Sequence, residues 1–351
     1  MVEEIKSGSK PPARRPTIKD VAREAKVSPM TVSNVLNNRL QFVSSKTKLR
    51  VEREIVRLNY RRQSAARNLR GAHQRSVGMI VIDDSPSFLV DFFTAQVVAG
   101  LANVLNSADY TMTVQGMRAS DLANSMIMRS FEVGGFCAMI SGDCHDRKMV
   151  VEQLRSLDQP LVLFQQEAPD KYEDVCTVRQ DDRAGGRLIG DHFLARGVKN
   201  ILVLRPGQTW PAIEERIQGL QESIAQSGSK VELNIVKAGN ESYSDVKDSF
   251  GDYLDSNALP EAIFCGNDQI ALAAMLLLSD RGYSVPEDVR IVGFNGFEAH
   301  RYLRPQLTTV LSSAYQLGER AGEAMLARLS SGQFPERDIV LPVHFNIGAT
   351  T

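Results

Sequence analysis

From Thr17 to Asn37 the chain reads TIKDVAREAKVSPMTVSNVLN, and its apolar residues fall on helical spacing. Ile18, Val21, Ala22 and Ala25 lie at i, i+3, i+4 and i+7, one stripe of a first helix that Thr17 is suited to cap. Val27 marks a tight turn. Ser28 followed by Pro29 is the preferred order at a new helix start. That second helix turns Val32, Val35 and Leu36 inward and leaves Met30, Thr31, Ser33, Asn34 and Asn37 outward. Ser44 to Leu58 predicts a third helix, with Val51, Ile55 and Leu58 on its stripe. Helical hairpins are common, and the first two helices alone would also suit some other small bundle. The outward row is more specific. Small hydroxyls and amides at a helix N-terminus suit phosphates and base edges, which predicts a helix-turn-helix whose recognition helix begins at Ser28.

From Arg75 the texture changes. Short apolar runs recur at Val77–Ile82, Phe136–Ile140, Leu161–Phe164, Ile201–Leu204, Ala262–Cys265 and Val289–Phe294. Between them lie amphipathic stretches of helical length, including Ala95–Ser107, Asp121–Phe131, Arg183–Arg196, Glu214–Gln226 and Asp268–Arg281. Buried strands alternating with helices predict parallel sheets covered on both faces. About 270 residues of this pattern exceed one ordinary core, so two doubly wound α/β subdomains are expected. In such folds ligands sit beyond the carboxyl ends of strands. Here Ile82 runs into Asp83-Asp84-Ser85-Pro86-Ser87-Phe88, and Leu204 into Arg205-Pro206-Gly207-Gln208-Thr209-Trp210. Cys265 runs into Gly266-Asn267-Asp268, and Phe294 into Asn295-Gly296.

Charge sharpens this division. The net charge is only −1, yet residues 1–76 carry 18 basic against 6 acidic side chains, leaving 23 against 36 for the body. A basic module on an acidic body is the footprint of a nucleic-acid binder. The start, MVEEIKSGSKPPARRP, is polar and proline-rich, which predicts a disordered tail over 1–16 rather than a secretory signal. No apolar run has the roughly 18 residues needed to span a bilayer. A cytoplasmic protein is expected, and four scattered cysteines fit reduced thiols there. Cys144-His145, between Asp143 and Asp146, lacks the spacing of a zinc site and reads as a loop; no metal or cofactor is expected.

The run from Thr17 to Gly71, with its connector NYRRQSAARNLRG, strongly resembles the headpiece and hinge of the lac repressor (LacI/GalR) family of transcription regulators. The run GNDQIALAAMLLLSDRGYSVPEDVRIVGFNG, followed by RPQLTTV, resembles the C-terminal half of that family's core. The resemblance covers Thr17 to about Val343. It implies a periplasmic-binding-protein-like core of two subdomains joined by three crossovers, with a ligand between them. The expected divisions are a helix-turn-helix domain over 17–60, a hinge over 61–76 and an effector-binding and dimerisation core over 77–351. Within that core the N-subdomain takes about 77–178 plus 312–338, and the C-subdomain about 179–311 plus 339–351.

Carried over residue by residue, the resemblance extends the DNA-binding set from Thr17, Ser28, Pro29, Met30, Thr31, Ser33, Asn34 and Asn37 to Arg39, Tyr60, Ala66, Arg67 and Leu69. Leu69 matches the leucine that wedges into the minor groove, and Ala66 is small enough for paired hinges to pack. A plain flexible linker is the other reading of this segment. The effector set comprises Phe88, Phe92, Trp210, Arg216, Asn267, Asn295 and Ser312. Arg216 matches the family's effector-contacting arginine, whose fork would clasp vicinal hydroxyls or a carboxylate. The aromatics would stack on a sugar face, or simply pack.

Three positions depart from the family pattern. Asn295 replaces the usual aspartate, Arg62 a common proline, and Lys26 a turn glycine or asparagine. An αL lysine at the turn would be mildly strained.

The expected function is a sequence-specific DNA-binding regulator, a repressor controlled by a small effector of sugar type. It would act as a homodimer on near-palindromic operator DNA. A sugar-binding solute receptor without DNA binding is the alternative. An enzyme is not expected, because no P-loop, nucleophile elbow, HExxH or dinucleotide fingerprint is present.

Overall fold

The computed structural model describes residues 16–36, 43–58, 60, 75–84, 88–89, 91–130, 133–167, 172–239 and 241–351. They divide into two compact units, one within 1–73 and 125–132, the other within 74–124 and 133–351.

The first unit contains helices α1 (Ile18–Glu24), α2 (Pro29–Leu36) and α3 (Ser45–Arg57). Val21, Ala22, Ala25, Val32, Val51 and Tyr60 form its buried core, with Ile18, Val35, Leu36, Ile55 and Leu58 packed around them. The predicted stripes are therefore the packing faces. Ser28 caps α2 through the Thr31 N–H at 3.1 Å. Ser44 caps α3 through the Thr47 N–H at 3.3 Å. Lys26 sits at φ 51° in the turn, the left-handed conformation expected there.

The second unit holds two six-stranded sheets. The strands are β1 (Ser76–Ile82), β2 (Thr111–Met117), β3 (Gly135–Ile140), β4 (Leu161–Phe164), β5 (Val175–Gln180) and β6 (Asn200–Arg205). They continue with β7 (Glu232–Lys237), β8 (Ala262–Cys265), β9 (Arg290–Asn295), β10 (Thr308–Leu311), β11 (Asp338–Leu341) and β12 (His344–Asn346). The first sheet has the order β11-β5-β4-β3-β1-β2 and the second β12-β10-β9-β8-β6-β7. All pairings are parallel except β10 with β12. The chain crosses between sheets after Gln180, Leu311 and Leu341. Because β11 pairs with β5, the third crossover comes a few residues later than the division expected at 338/339.

Two readings change. The helix expected over Asp121–Phe131 breaks into Ala119–Leu122 and Met126–Ser130. Cys144 and His145 open a helix, Cys144–Arg155, instead of sitting in a loop; Asp143 caps it by accepting from the Asp146 N–H at 2.9 Å.

One close helix contact positions the site. The helices Asp182–Ala195 and Pro211–Ser227 cross at glycine. A Cβ on Gly219 would lie 2.0 Å from the Arg183 carbonyl oxygen, and one on Gly186 2.0 Å from that of Arg216. Gly219→Ala should therefore force the helices apart and destabilise the core by about 1–3 kcal/mol. A urea melt checks this; an unchanged midpoint would mean that the crossing tolerates a methyl group.

Candidate functional site

Between the two sheets lies a cavity of about 100 Å³. Its first-sheet wall is Asp83, Asp91, Phe93, Met139, Ile140, Phe164 and Gln165. Its second-sheet wall is Pro206, Trp210, Pro211, Ala212, Ile213, Arg216, Glu241, Asn267 and Asn295. Most of these follow a strand's carboxyl end, where parallel folds leave a crevice. Loop contacts tie the walls together. The Gly142 N–H donates to the Thr209 carbonyl at 2.8 Å, and Gln208 Nε2 donates to Ser141 Oγ at 2.8 Å. Phe92 and Phe297 meet with ring centroids 5.6 Å apart.

Trp210 occupies the N-cap position of the helix Pro211–Ser227, with Pro211 in its first turn, and its ring packs against the cores of both subdomains. Arg216 follows in the second turn of the same helix and is 3% exposed. Its Nε donates to Asp182 Oδ1 at 2.7 Å, Nη1 to the Gly266 carbonyl at 2.7 Å, and Nη2 to Asn295 Oδ1 at 3.3 Å. The guanidinium lies on the Phe294 ring, 3.6 Å from its centroid. Three of five N–H donors are thus committed within the protein, so the fork is fixed before any ligand arrives. Asp182 also accepts from Gln165 Nε2 and Gln180 Nε2, each at 2.9 Å. Burial raises the Asp182 carboxyl above its ordinary value, and the guanidinium and the two amides act against this.

This pairing accounts for Asn295. With Asp182 already matched to Arg216, a second carboxylate at 295 would add buried negative charge without a counter-ion. The amide accepts from Arg216 and keeps its own N–H donors. Asn295 also holds φ 107°, a conformation that asparagine tolerates better than most residues. Asn267 Oδ1 caps the next helix through the Ile270 N–H at 2.9 Å, while its amide nitrogen donates to Glu241.

The cavity therefore gathers Trp210, Arg216, Asn267 and Asn295 from the expected effector set. It leaves out three. Phe88 packs on Gly116 and the first-sheet core, because that glycine leaves room for its ring. Phe92 is 56% exposed against Phe297, and its neighbour Phe93 lines the cavity instead. Ser312 donates to Gln180 Oε1 at 2.7 Å, within the crossovers. Gln165, Asp91 and Glu241 were not anticipated. Gln165 directly follows β4, and that carboxyl-end position is the signal that marks it.

On the headpiece, Met30 is 69% exposed, and Ser28 and Pro29 are exposed beside it. Thr31, Ser33 and Asn34 are half-buried. Thr17 is engaged with Asp20, which accepts its backbone N–H at 2.8 Å and its hydroxyl at 2.7 Å. Tyr60, expected at DNA, is 7% exposed in the headpiece core, where its ring closes the bundle behind α3. Asn37, Arg39, Arg62, Ala66, Arg67 and Leu69 lie outside the described residues, as do most of the expected tail and hinge.

Comparison with known proteins identifies both parts. Residues 17–63 match the model of bacterial regulatory proteins of the lacI family, and residues 190–351 that of the periplasmic binding protein-like domain. The chain thus combines a lacI-family helix-turn-helix domain with a periplasmic-binding-protein-like domain. Curated relatives include the HTH-type transcriptional repressor PurR of Vibrio atlanticus (strain LGP32). It is 27% identical over 324 residues, 92% of this chain and 94% of that protein. Catabolite control protein A of Staphylococcus epidermidis is 26% identical over 340 residues, 95% and 99%. Similar solved structures include a complex of the transcriptional regulator CelR with cellobiose, at TM-score 0.69 and 24% identity, covering 96% of this chain and 100% of that one. The lac repressor dimer bound to operator and the anti-inducer ONPF gives TM-score 0.67 and 24% identity, covering 96% and 99%. With this headpiece domain the protein is a DNA-binding regulator of transcription. Among the described residues no group of three or more His, Cys, Asp or Glu is placed to hold a metal ion.

Glu241 provides a test of the cavity's electrostatics. Burial raises its carboxyl to about 7, and the carboxylates of Asp91 and Asp83 push the same way against Asn267 and Arg216. A folded-state pKa above the unfolded value means stability present below about 4.5 and lost as pH rises through about 7. Glu241→Gln should leave the melting temperature unchanged near pH 4.5 and raise it near pH 8, by up to about 3 kcal/mol of stability. Parallel curves for the two proteins across that range would contradict the assignment.

Proposed function

We propose that this protein represses transcription as a homodimer bound to a near-palindromic operator. A small sugar-type effector in the inter-sheet cavity would control its operator affinity. The observation that carries this reading is the pairing, in one chain, of a helix start that exposes Ser28, Pro29 and Met30 with a cavity between the two sheets. That cavity joins an aromatic wall to Arg216, Asn267 and Asn295. Relatives point the same way: PurR is a repressor by name, and solved neighbours hold cellobiose or ribose. A ligand contacting both walls changes the balance between arrangements of the two subdomains by its differential affinity for them. The paired hinges would carry that change to the headpieces, with Leu69 as the wedge and Arg67 on phosphate.

Met30 and Asn34 are the side chains to test for readout. An exposed methionine favours thymine methyl groups, and an asparagine adenine edges. Met30→Ala and Asn34→Ala should each weaken operator binding by about 1–3 kcal/mol and relax selectivity, leaving the oligomer intact. Gel shifts of genomic fragments, with and without sugars, decide both points. Wild-type affinity in both variants would move the recognition surface elsewhere. A protein that shifts no fragment at physiological salt, while binding sugar, would be a solute receptor instead.

A further inference from the structure

Among the described non-glycine residues with positive φ, Lys26 is the only cation. Its backbone is fixed there by the way α1 ends. Ala25 is the C-cap, and the next two residues fold back on the helix. The Lys26 N–H donates to the Arg23 carbonyl at 3.1 Å, and the Val27 N–H to the Ala22 carbonyl at 2.9 Å. These are the two bonds of a left-handed helix stop, where glycine is the usual residue. Val27 packs on the headpiece core, so the turn cannot relax without uncovering it. A lysine here gives up stability that glycine would keep. Its side chain has no partner in the fold to offset this. Among the described residues no carboxylate pairs with Lys26, whereas its basic neighbours are matched. Arg23 pairs with Asp20 at 3.0 Å, and Arg57 with Glu24 and Glu54, each at 2.6 Å. The remaining internal gain is attraction to the carboxyl end of α1, which is weak and screened by salt at an exposed site.

The position of this residue gives the strain a use. Lys26 is exposed, as are Ser28, Pro29 and Met30 at the start of α2. Ser28, whose hydroxyl caps α2, follows only two residues later, a span of at most about 7 Å. A lysine is a point charge on a flexible four-carbon stem, suited to a phosphate oxygen. Strain held by its surroundings and unmatched by any internal contact is the pattern of a functional residue. We infer that Lys26 is a DNA-contacting residue whose ammonium pairs with a backbone phosphate beside the groove that α2 enters. The inference rests on the reading of α2 as the recognition helix. Such a contact adds affinity and fixes register on the duplex, and carries no base readout of its own.

Fluorescence anisotropy of the full-length protein with a random-sequence DNA duplex, at salt from about 50 to 200 mM, reads this contact. Lys26→Gly removes the charge and suits the backbone. It should weaken binding by about threefold or more at the low-salt end. It should also flatten the log–log salt dependence by about one for each bound headpiece. Hydrogen exchange of α1 and α2 in the same variant should be no faster than in wild type, because glycine relieves the turn. Lys26→Arg should keep both affinity and slope. Lys230→Gln, which takes one exposed positive charge from the core, should change neither. Wild-type affinity and slope in Lys26→Gly overturn the inference. So does an equal slope change in Lys230→Gln, which would make net charge the cause. Faster exchange in Lys26→Gly overturns it too, since the side chain would then be holding the turn. Operator selectivity separates this inference from the reading it rests on. Wild-type binding in Lys26→Gly, with losses in Met30→Ala and Asn34→Ala, removes the lysine and keeps α2 as the reading helix. A loss in Lys26→Gly, with wild-type selectivity in both other variants, keeps the phosphate contact and moves base readout elsewhere.

Discussion

The buried ion pair of Asp182 and Arg216 is the constraint on which the core's architecture depends. Asp182 begins the helix after the first crossover, and Arg216 reaches it because Gly186 and Gly219 let the two helices touch backbone to backbone. From this pair, hydrogen bonds extend to all three crossovers. Gln180 donates to Asp182 and accepts from Ser312 Oγ at 2.7 Å and from the Ser313 N–H at 3.3 Å. The Asp181 N–H donates to the Leu341 carbonyl at 2.9 Å, and Ser313 Oγ to the Pro342 carbonyl at 2.9 Å. Three separate strands of chain are thereby held in one register. Removing one partner of such a pair leaves an unmatched buried charge, which typically costs about 3–5 kcal/mol.

The same pair floors the cavity. Arg216 carries the Gly266 carbonyl and Asn295 with it, so two strand ends of the second sheet are set by one guanidinium. Gln165 reaches Asp182 from the first sheet at 2.9 Å, making the hinge network part of the cavity wall. A ligand that meets Arg216, Asn295 and Gln165 therefore touches the groups that fix the crossovers. Trp210, packed on both subdomain cores, adds an apolar contact that a ligand would share. Coupling from a ligand in this cavity to the subdomain angle would thus follow from continuity of packing and hydrogen bonds, without a distant relay.

The headpiece was legible because its apolar positions repeat on helical spacing and its caps are Ser28 and Ser44. Central strands were legible as unbroken apolar runs, such as Leu161–Phe164, buried on both faces. Edge strands were not. Thr111–Met117 and Glu232–Lys237 pair on one side only and alternate between exposed and half-buried residues, so their sequences lack a continuous run. In the cavity, Trp210, Arg216, Asn267 and Asn295 could be found from strand ends and family likeness. Glu241 could not, since its loop shows no signal until α/β packing brings it opposite Asp83 and Asp91. Asp182 likewise reads as an ordinary first-turn acid; only the glycine crossing shows that its counter-ion lies 34 residues away. Tyr60, placed at DNA by resemblance, also has its ring in the headpiece core, a role that the sequence pattern does not show.

A double-mutant cycle on Asp182 and Arg216 tests this account most directly. Asp182→Ala, Arg216→Ala and the pair together would be compared by urea unfolding of the full-length protein. Each single change is predicted to cost about 3–5 kcal/mol, and the double change to cost far less than their sum, because it leaves no unmatched charge. Additive losses, or single changes costing under about 1 kcal/mol, would contradict the claim that this pair holds the crossovers and the cavity in register.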